Sequence, residues 1–178
     1  DESLNAEVPD FDKKKIPRGD EMSWWIMPTT ADVGIRAFAA TKESVIQEVT
    51  LGMQSILLSE KGEQELSGLT RYTGEWSVEV ANSLDNTMVA WLEEVLYQGE
   101  VDGRWLVDLQ IQLTEGSLNS QVSFVNGDEV EREVEIKAVT RHELILFEVP
   151  AGIEFPGVAP DIPTFEGPGW VAQVIFDI

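Results

Sequence analysis

The sequence has no cysteine and a single histidine. Without cysteine, a disulfide framework and a thiolate metal site are both excluded. No apolar run reaches the roughly 20 residues that a membrane-spanning helix requires, and no signal-peptide pattern opens the chain. We therefore expect a cytoplasmic protein that makes no contact with a membrane.

The familiar signatures of enzymes are missing as well. The sequence contains no phosphate-binding P-loop, no dinucleotide-binding fingerprint, no nucleophile elbow and no His-Cys cluster. The one histidine, His142, cannot supply a catalytic triad by itself. These absences favour a protein that is not an enzyme.

Positive charge is scarce. Lysine and arginine together number 12, against 33 aspartate and glutamate residues, and the formal net charge is −21. Such a balance argues against a nucleic-acid grip along the whole chain, because phosphates are bound by Lys and Arg. It suits a basic protein partner or a divalent cation, and it equally suits a cytoplasm of high salt concentration. The composition leaves these explanations open.

What is present indicates an α+β fold in one domain. Residues 1–20 show no period, which predicts a flexible extension ahead of a domain that spans residues 21–178. Thr41 and Ser83 are predicted N-caps of two amphipathic helices, which we expect Gly62 and Gly99 to terminate. We predict that both helices pack on mixed or antiparallel β-sheet structure.

Alternating apolar residues mark the strands. Trp24 and Trp25 point to opposite faces of the first strand, so they cannot both enter one core. We read residues 60–73 as polar and turn-rich, and residues 149–168, rich in proline and glycine, as a long loop insertion. The predicted strands are Met22–Met27, Val33–Phe38, Trp76–Val80, Trp105–Leu113, Gln121–Val125, Val134–Val139, Leu144–Val149 and Gly169–Ile178.

Two acidic positions suggest chemistry. Asp32 stands where a turn enters a strand, and Asp177 adjoins the terminal carboxylate of Ile178. If the last strand lies beside the Asp32 strand, three oxygen-bearing groups converge and a hard cation would neutralise them. The alternatives are a turn aspartate and a solvated acidic end. Spacing alone favours these alternatives.

Three stretches resemble the archease family. They are Thr30–Phe38, Glu135–Leu144 and Gly169–Ile178, in that order, with the last flush with the end of the sequence. The helical segment Leu84–Tyr97 also fits the family pattern, so the likeness covers most of residues 24–178. The sequence departs from that pattern at two positions: Thr29 stands where the family usually has His, and Arg141 where it usually has Tyr.

The resemblance implies an archease-like single domain with a divalent-cation site. Asp32, Asp177 and the terminal carboxylate of Ile178 match the family's metal-binding positions. Ca²⁺ is the expected ion, with Mg²⁺ or Mn²⁺ as alternatives. Lys137 matches its basic functional position, although a lysine in a strand ordinarily just faces solvent. His142 and Thr29 are further candidates for contact with a phosphate or a partner.

The resemblance also implies a partner and a role. Archease is the small partner of the RtcB-type, GTP-dependent tRNA-splicing ligase, whose guanylylation and turnover it promotes. Nucleic acid would then be met only indirectly, through the ligase. One alternative is a general chaperone or modulator of RNA-processing enzymes that acts by contact. A metal-dependent hydrolase ranks last, because no general base or nucleophile is evident.

Overall fold

The computed structural model describes residues 23–27, 32–157 and 161–178. The predicted N-terminal extension, Met22 and Thr29 lie outside these ranges. Within them the chain forms three helices and ten strands. The helices are α1 (Lys42–Leu57), α2 (Glu60–Glu65) and α3 (Leu84–Glu100). The strands are β1 (Ser23–Met27), β2 (Val33–Ala39), β3 (Tyr72–Glu79), β4 (Arg104–Leu113), β5 (Ser117–Asn126), β6 (Ala138–Val139), β7 (Ile145–Val149), β8 (Glu154–Phe155), β9 (Phe165–Glu166) and β10 (Gly169–Asp177).

The strands form antiparallel sheets of five, three and two strands. The largest has the order β1-β2-β10-β6, and β7 also pairs with β10. The second has the order β3-β5-β4, and β8 pairs with β9. The α+β prediction is confirmed. None of the helices in the described ranges combines the length and the apolar character that a bilayer crossing requires.

Both predicted N-caps are confirmed. The Thr41 hydroxyl accepts the backbone N–H of Ser44 at 3.0 Å, and the Ser83 hydroxyl accepts that of Asn86 at 3.4 Å. Each bond satisfies an N–H group that the first turn of a helix leaves without a partner. The apolar sides of α1 and α3 enter one large core together with residues of the two larger sheets.

The predicted helix ends are wrong. Gly62 lies inside α2, where a side chain would collide with the carbonyl of Glu131. Gly99 likewise lies inside α3, and the positive φ of 69° falls on Gly103, just before β4. The close approach of the Glu131 backbone therefore explains why a glycine stands at position 62. Residues 60–73 contain a helix, a 3-10 turn and the start of β3 instead of a plain turn region.

The strand predicted at Val134–Val139 is also too long. Only Ala138 and Val139 pair with β10. Upstream, the backbone N–H groups of Glu133 and Val134 donate to the carbonyl of Leu57 at the end of α1. These residues are held against a helix end and cannot continue a ladder.

The two adjacent tryptophans enter different clusters. Trp24 joins the main core, whereas Trp25 packs on the opposite face of the sheet with Phe38 and Val171. Both are buried, at 4% and 5% exposure. The expectation that they cannot share one core holds. Trp25 is buried because a second layer covers that face.

Candidate cation-binding and partner-binding site

The end of the last strand lies beside the start of β2. In the antiparallel ladder Ile175 lies opposite Gly34, and Phe176 lies opposite Val33. Phe176–Val33 is the last pair of this ladder, and Asp177 and Asp32 are the residues that follow it on the two chains. Asp32 and Asp177 therefore flank the end of the ladder at one corner of the five-stranded sheet.

A third segment reaches the same corner from the other side of β10. The backbone N–H of Lys137 donates to the carbonyl of Asp177 at 2.7 Å. Thr140 holds this pairing in place, because its N–H and its hydroxyl both donate to the carbonyl of Ile175, at 3.0 Å and 2.8 Å. Lys137 is exposed and immediately precedes β6, so it is not in the middle of a strand as predicted.

The corner is open to solvent. Asp177 is exposed, Ile178 is 39% exposed, and Asp32 is half-buried and engaged in an interaction of its own. Carboxylate oxygens are the donors that Ca²⁺ and Mg²⁺ prefer. Among the described residues, no group of three His, Cys, Asp or Glu side chains is placed to hold a metal ion. The predicted set has two such side chains and a terminal carboxylate, and it stays a prediction.

The remaining candidates occupy the rim or lie outside the described residues. Nε2 of His142 lies 3.5 Å from Oε2 of Glu143, and both side chains are largely exposed, at 71% and 58%. Nε of Arg141 donates to Oδ1 of Asn86 at 2.8 Å, which ties the rim to the first turn of α3. Thr29 lies outside the described residues.

The sequence analysis did not identify Arg36, a buried polar residue on the face of β2 that follows from Asp32 by alternation. Arg36 is 3% exposed, and two of its nitrogens donate to Oε1 of Gln173, at 3.0 Å and 2.6 Å. A third donates to the carbonyl of Pro156 at 3.0 Å, and the guanidinium lies 4.7 Å from the ring centre of Phe155. Burial lowers the pKa of Arg36. An arginine between Ile35 and Ala37 in an apolar strand was the available signal.

Part of the predicted loop insertion covers this face. Residues 150–157 and 161–168 contain the β8–β9 pair, and Ile162 is buried at 2% exposure. The ring of Phe165 stacks on Phe38 with centroids 4.8 Å apart and planes 9° apart. We call this segment, Pro150–Pro168 in its described part, the strap. It is not the structureless loop that was expected.

Comparisons with known proteins converge on one family. The model of the archease protein family (MTH1598/TM1083) matches residues 24–178. The archease of Thermococcus kodakarensis is 24% identical over 145 residues, which cover 78% of this chain and 98% of that protein. The archease of Methanosarcina barkeri is 28% identical over 159 residues, covering 84% of this chain and 91% of that protein.

One solved structure extends the likeness to the fold. The solution structure of protein 1598 of Methanobacterium thermoautotrophicum matches with a TM-score of 0.55 at 18% identity. The match covers 87% of this chain and 98% of that one. The same α+β architecture therefore recurs there with few shared residues.

Proposed function

Since the chain belongs to the archease family, we propose that it is a non-catalytic protein cofactor of an RtcB-type, GTP-dependent tRNA-splicing ligase. Its role is to promote guanylylation of the ligase and so to sustain repeated turnover. The observation that carries the proposal is the ladder register, in which Phe176 and Val33 form the last pair before Asp177 and Asp32. It supports a functional corner built from residues far apart in sequence.

Asp32, Asp177 and the terminal carboxylate of Ile178 are the groups that would hold a divalent cation there. Their chemistry fits, because hard cations take oxygen ligands and clustered carboxylates need a positive charge to offset their repulsion. Ca²⁺ takes six to eight oxygen ligands, and three carboxylates that each bind through one oxygen supply three of them. A bound ion would thus keep positions for water or for ligands that a partner provides, and would act as a Lewis acid toward phosphate oxygens.

The residues of this chain present that corner to the ligase. Because Asp177 and Ile178 are exposed, the tip can enter a cleft without rearrangement of the core. Lys137 is exposed and its backbone N–H donates to the carbonyl of Asp177, so this residue belongs to the same corner. A lysine beside a cation site suits a phosphate of the guanylylating nucleotide, since positive charge stabilises phosphoryl groups in transfer.

A contact mechanism is the second candidate, because the net charge of −21 is far larger than one corner can account for. In that case the acidic surface as a whole would hold a basic partner enzyme and act as a chaperone or modulator. Removal of Asp177 and Ile178 separates the two candidates. A contact mechanism tolerates the truncation, whereas the corner mechanism does not.

The decisive assay measures single-turnover guanylylation of the ligase with labelled GTP. We expect Asp177→Ala or Asp32→Ala to reduce the stimulation at least about tenfold, as loss of a group supporting a metal site commonly does. Asp102→Ala, an exposed aspartate beyond the end of α3, is the matched control and should stimulate normally. Undiminished stimulation by both site variants would rule out the corner mechanism.

A further inference from the structure

Neither edge of the three-stranded sheet has a partner strand among the described residues. The sheet order is β3-β5-β4, so β3 and β4 are its edges. β3 pairs with β5 in an unbroken register from Tyr72 to Glu79. An edge strand presents unpaired backbone N–H and C=O groups to its surroundings.

At the edge formed by β4, two side chains of α1 form hydrogen bonds to backbone groups. Oε1 of Gln47 accepts the backbone N–H of Ile111 at 2.8 Å, and Nε2 of Gln54 donates to the carbonyl of Leu106 at 2.9 Å. These glutamines are seven residues apart, which places them on one face of the helix two turns apart. Two backbone groups of β4 thus have partners on α1, whereas the described residues place no strand beside β3.

β3 has neither a bulge nor a proline, whereas the ladder between β4 and β5 shifts register between Leu106 and Asp108. The charged residues of β3 are Glu75 and Glu79, and both are acidic. Charged side chains on an edge strand disfavour pairing with chains of like charge. The edge of β3 is therefore protected against an acidic strand and stays compatible with a basic one.

A groove lies on the exposed face of the same sheet. It has a volume of about 350 Å³, within the range of ligand sites. The register aligns Glu75, Gln121 and Gln110 across the three strands, with Asn119 and Gln112 as the next pair. These five side chains line it together with Ile111.

The chemistry of the groove selects its occupant. Four amide side chains can accept or donate hydrogen bonds, Glu75 supplies the one charge, and none of the lining residues is a lysine or an arginine. The groove therefore suits a guanidinium or ammonium group. A second copy of the chain is disfavoured, because each copy carries a net charge of −21 and like charges repel.

We propose that the edge of β3 and this groove form a docking surface for an extended, basic segment of a protein partner. The segment adds to the sheet as a fourth strand beside β3, and one of its arginine or lysine side chains enters the groove toward Glu75. Backbone ladder bonds supply affinity, and the groove supplies the preference for a basic side chain. This surface lies on a different sheet from the Asp32–Asp177 corner and does not depend on the function proposed there.

The test uses a labelled eight-residue peptide of alternating lysine and valine, measured by fluorescence anisotropy with the full chain. A second peptide, N-methylated at every other amide, has the same charge but cannot form the ladder on one edge. We expect the first peptide to bind at least about tenfold more tightly than the second, and to protect β3 amides from hydrogen exchange. Equal binding of the two would overturn the proposal, because charge alone would then account for it.

Variants locate the surface. Glu75→Lys should weaken binding of the unmethylated peptide by about tenfold or more through like-charge repulsion in the groove. Glu148→Lys makes the same charge change at an exposed position of β7 in the other sheet and should have little effect. Equal losses in both variants would overturn the assignment to β3. Concentration-dependent dimerisation with protected β3 amides, in the absence of peptide, would also overturn it in favour of a second copy.

Discussion

Phe176 lies opposite Val33 in the ladder between β10 and β2, two residues from the end of the sequence. The same residue lies opposite Val139 on its other side. The last strand is therefore paired on both sides almost to its end. Asp177 and Ile178 consequently have a defined position at the corner of the sheet, although both are exposed.

The first prediction concerns the terminal carboxylate. Addition of Gly-Ser after Ile178 moves that carboxylate away while Asp32 and Asp177 stay in place. If it is a cation ligand, the rise in melting temperature on addition of CaCl₂ should fall markedly, because a ligand that binds only the native state stabilises it by mass action. Gly-Ser added before residue 1 is the control. An unchanged Ca²⁺ response in the C-terminally extended chain would remove Ile178 from the site.

Local signals in the sequence predicted local structure well. Thr41 and Ser83 cap α1 and α3 as expected, because capping depends on a few neighbouring residues. The prediction that Gly62 ends the first helix was wrong, because the nearby Glu131 carbonyl, and not a helix end, requires a residue without a side chain there. No pattern within residues 57–65 contains that information.

The candidate corner was predicted through resemblance, and it stays a prediction. The sequence shows Asp32 and Asp177 as two acidic residues 145 positions apart, and nothing local pairs their strands. The buried Arg36 could not be anticipated in the same way, because its acceptors come from Gln173 and from Pro156 in the strap. Contacts between distant segments decide both features.

The second prediction concerns that arginine. Gln173→Leu removes the acceptor of two bonds while the Arg36 guanidinium stays buried, so we expect a loss of about 3 kcal/mol in the free energy of unfolding. The double variant Arg36→Met/Gln173→Leu should lose less, because no charge is left in the apolar layer. Urea unfolding measures both.

The sign of the pKa shift makes this prediction independent of pH in the ordinary range. Burial lowers the pKa of Arg36, so its charged form costs stability below that lowered pKa, and the cost is relieved only as pH rises through it. Since arginine stays protonated in proteins, the difference between the single and the double variant should be the same from about pH 6 to pH 9. A double variant less stable than Gln173→Leu at every pH would contradict the argument.

The third prediction tests whether the strap contributes to stability. Phe165→Ala removes the ring that stacks on Phe38 and should cost about 2–4 kcal/mol, as for other large-to-small changes in packed layers. Ile153→Ala is the control within the same segment, because Ile153 is 53% exposed and its truncation should cost less than about 0.5 kcal/mol. Equal, small effects would mean that the segment is a dispensable insertion.

The fourth prediction separates general charge repulsion from a specific cation site. With a net charge of −21, the folded chain repels itself, and salt relieves this because the Debye length falls from about 10 Å at 0.1 M to about 3 Å at 1 M. We expect KCl to raise the melting temperature over that range, as adaptation to high salt would require. CaCl₂ at millimolar concentration and constant ionic strength should raise it further through the Asp32–Asp177 corner.

Asp177→Asn separates the two contributions within one protein. It removes only one of many negative charges, so the rise in melting temperature on addition of KCl should be nearly unchanged. It also removes a proposed ligand, so the additional response to CaCl₂ should be largely lost. Asp102→Asn makes the same change in charge at an exposed position elsewhere and should keep both responses. If Asp177→Asn and Asp102→Asn respond identically to Ca²⁺, the acidity of the chain serves salt adaptation or partner contact, and the corner does not bind the ion.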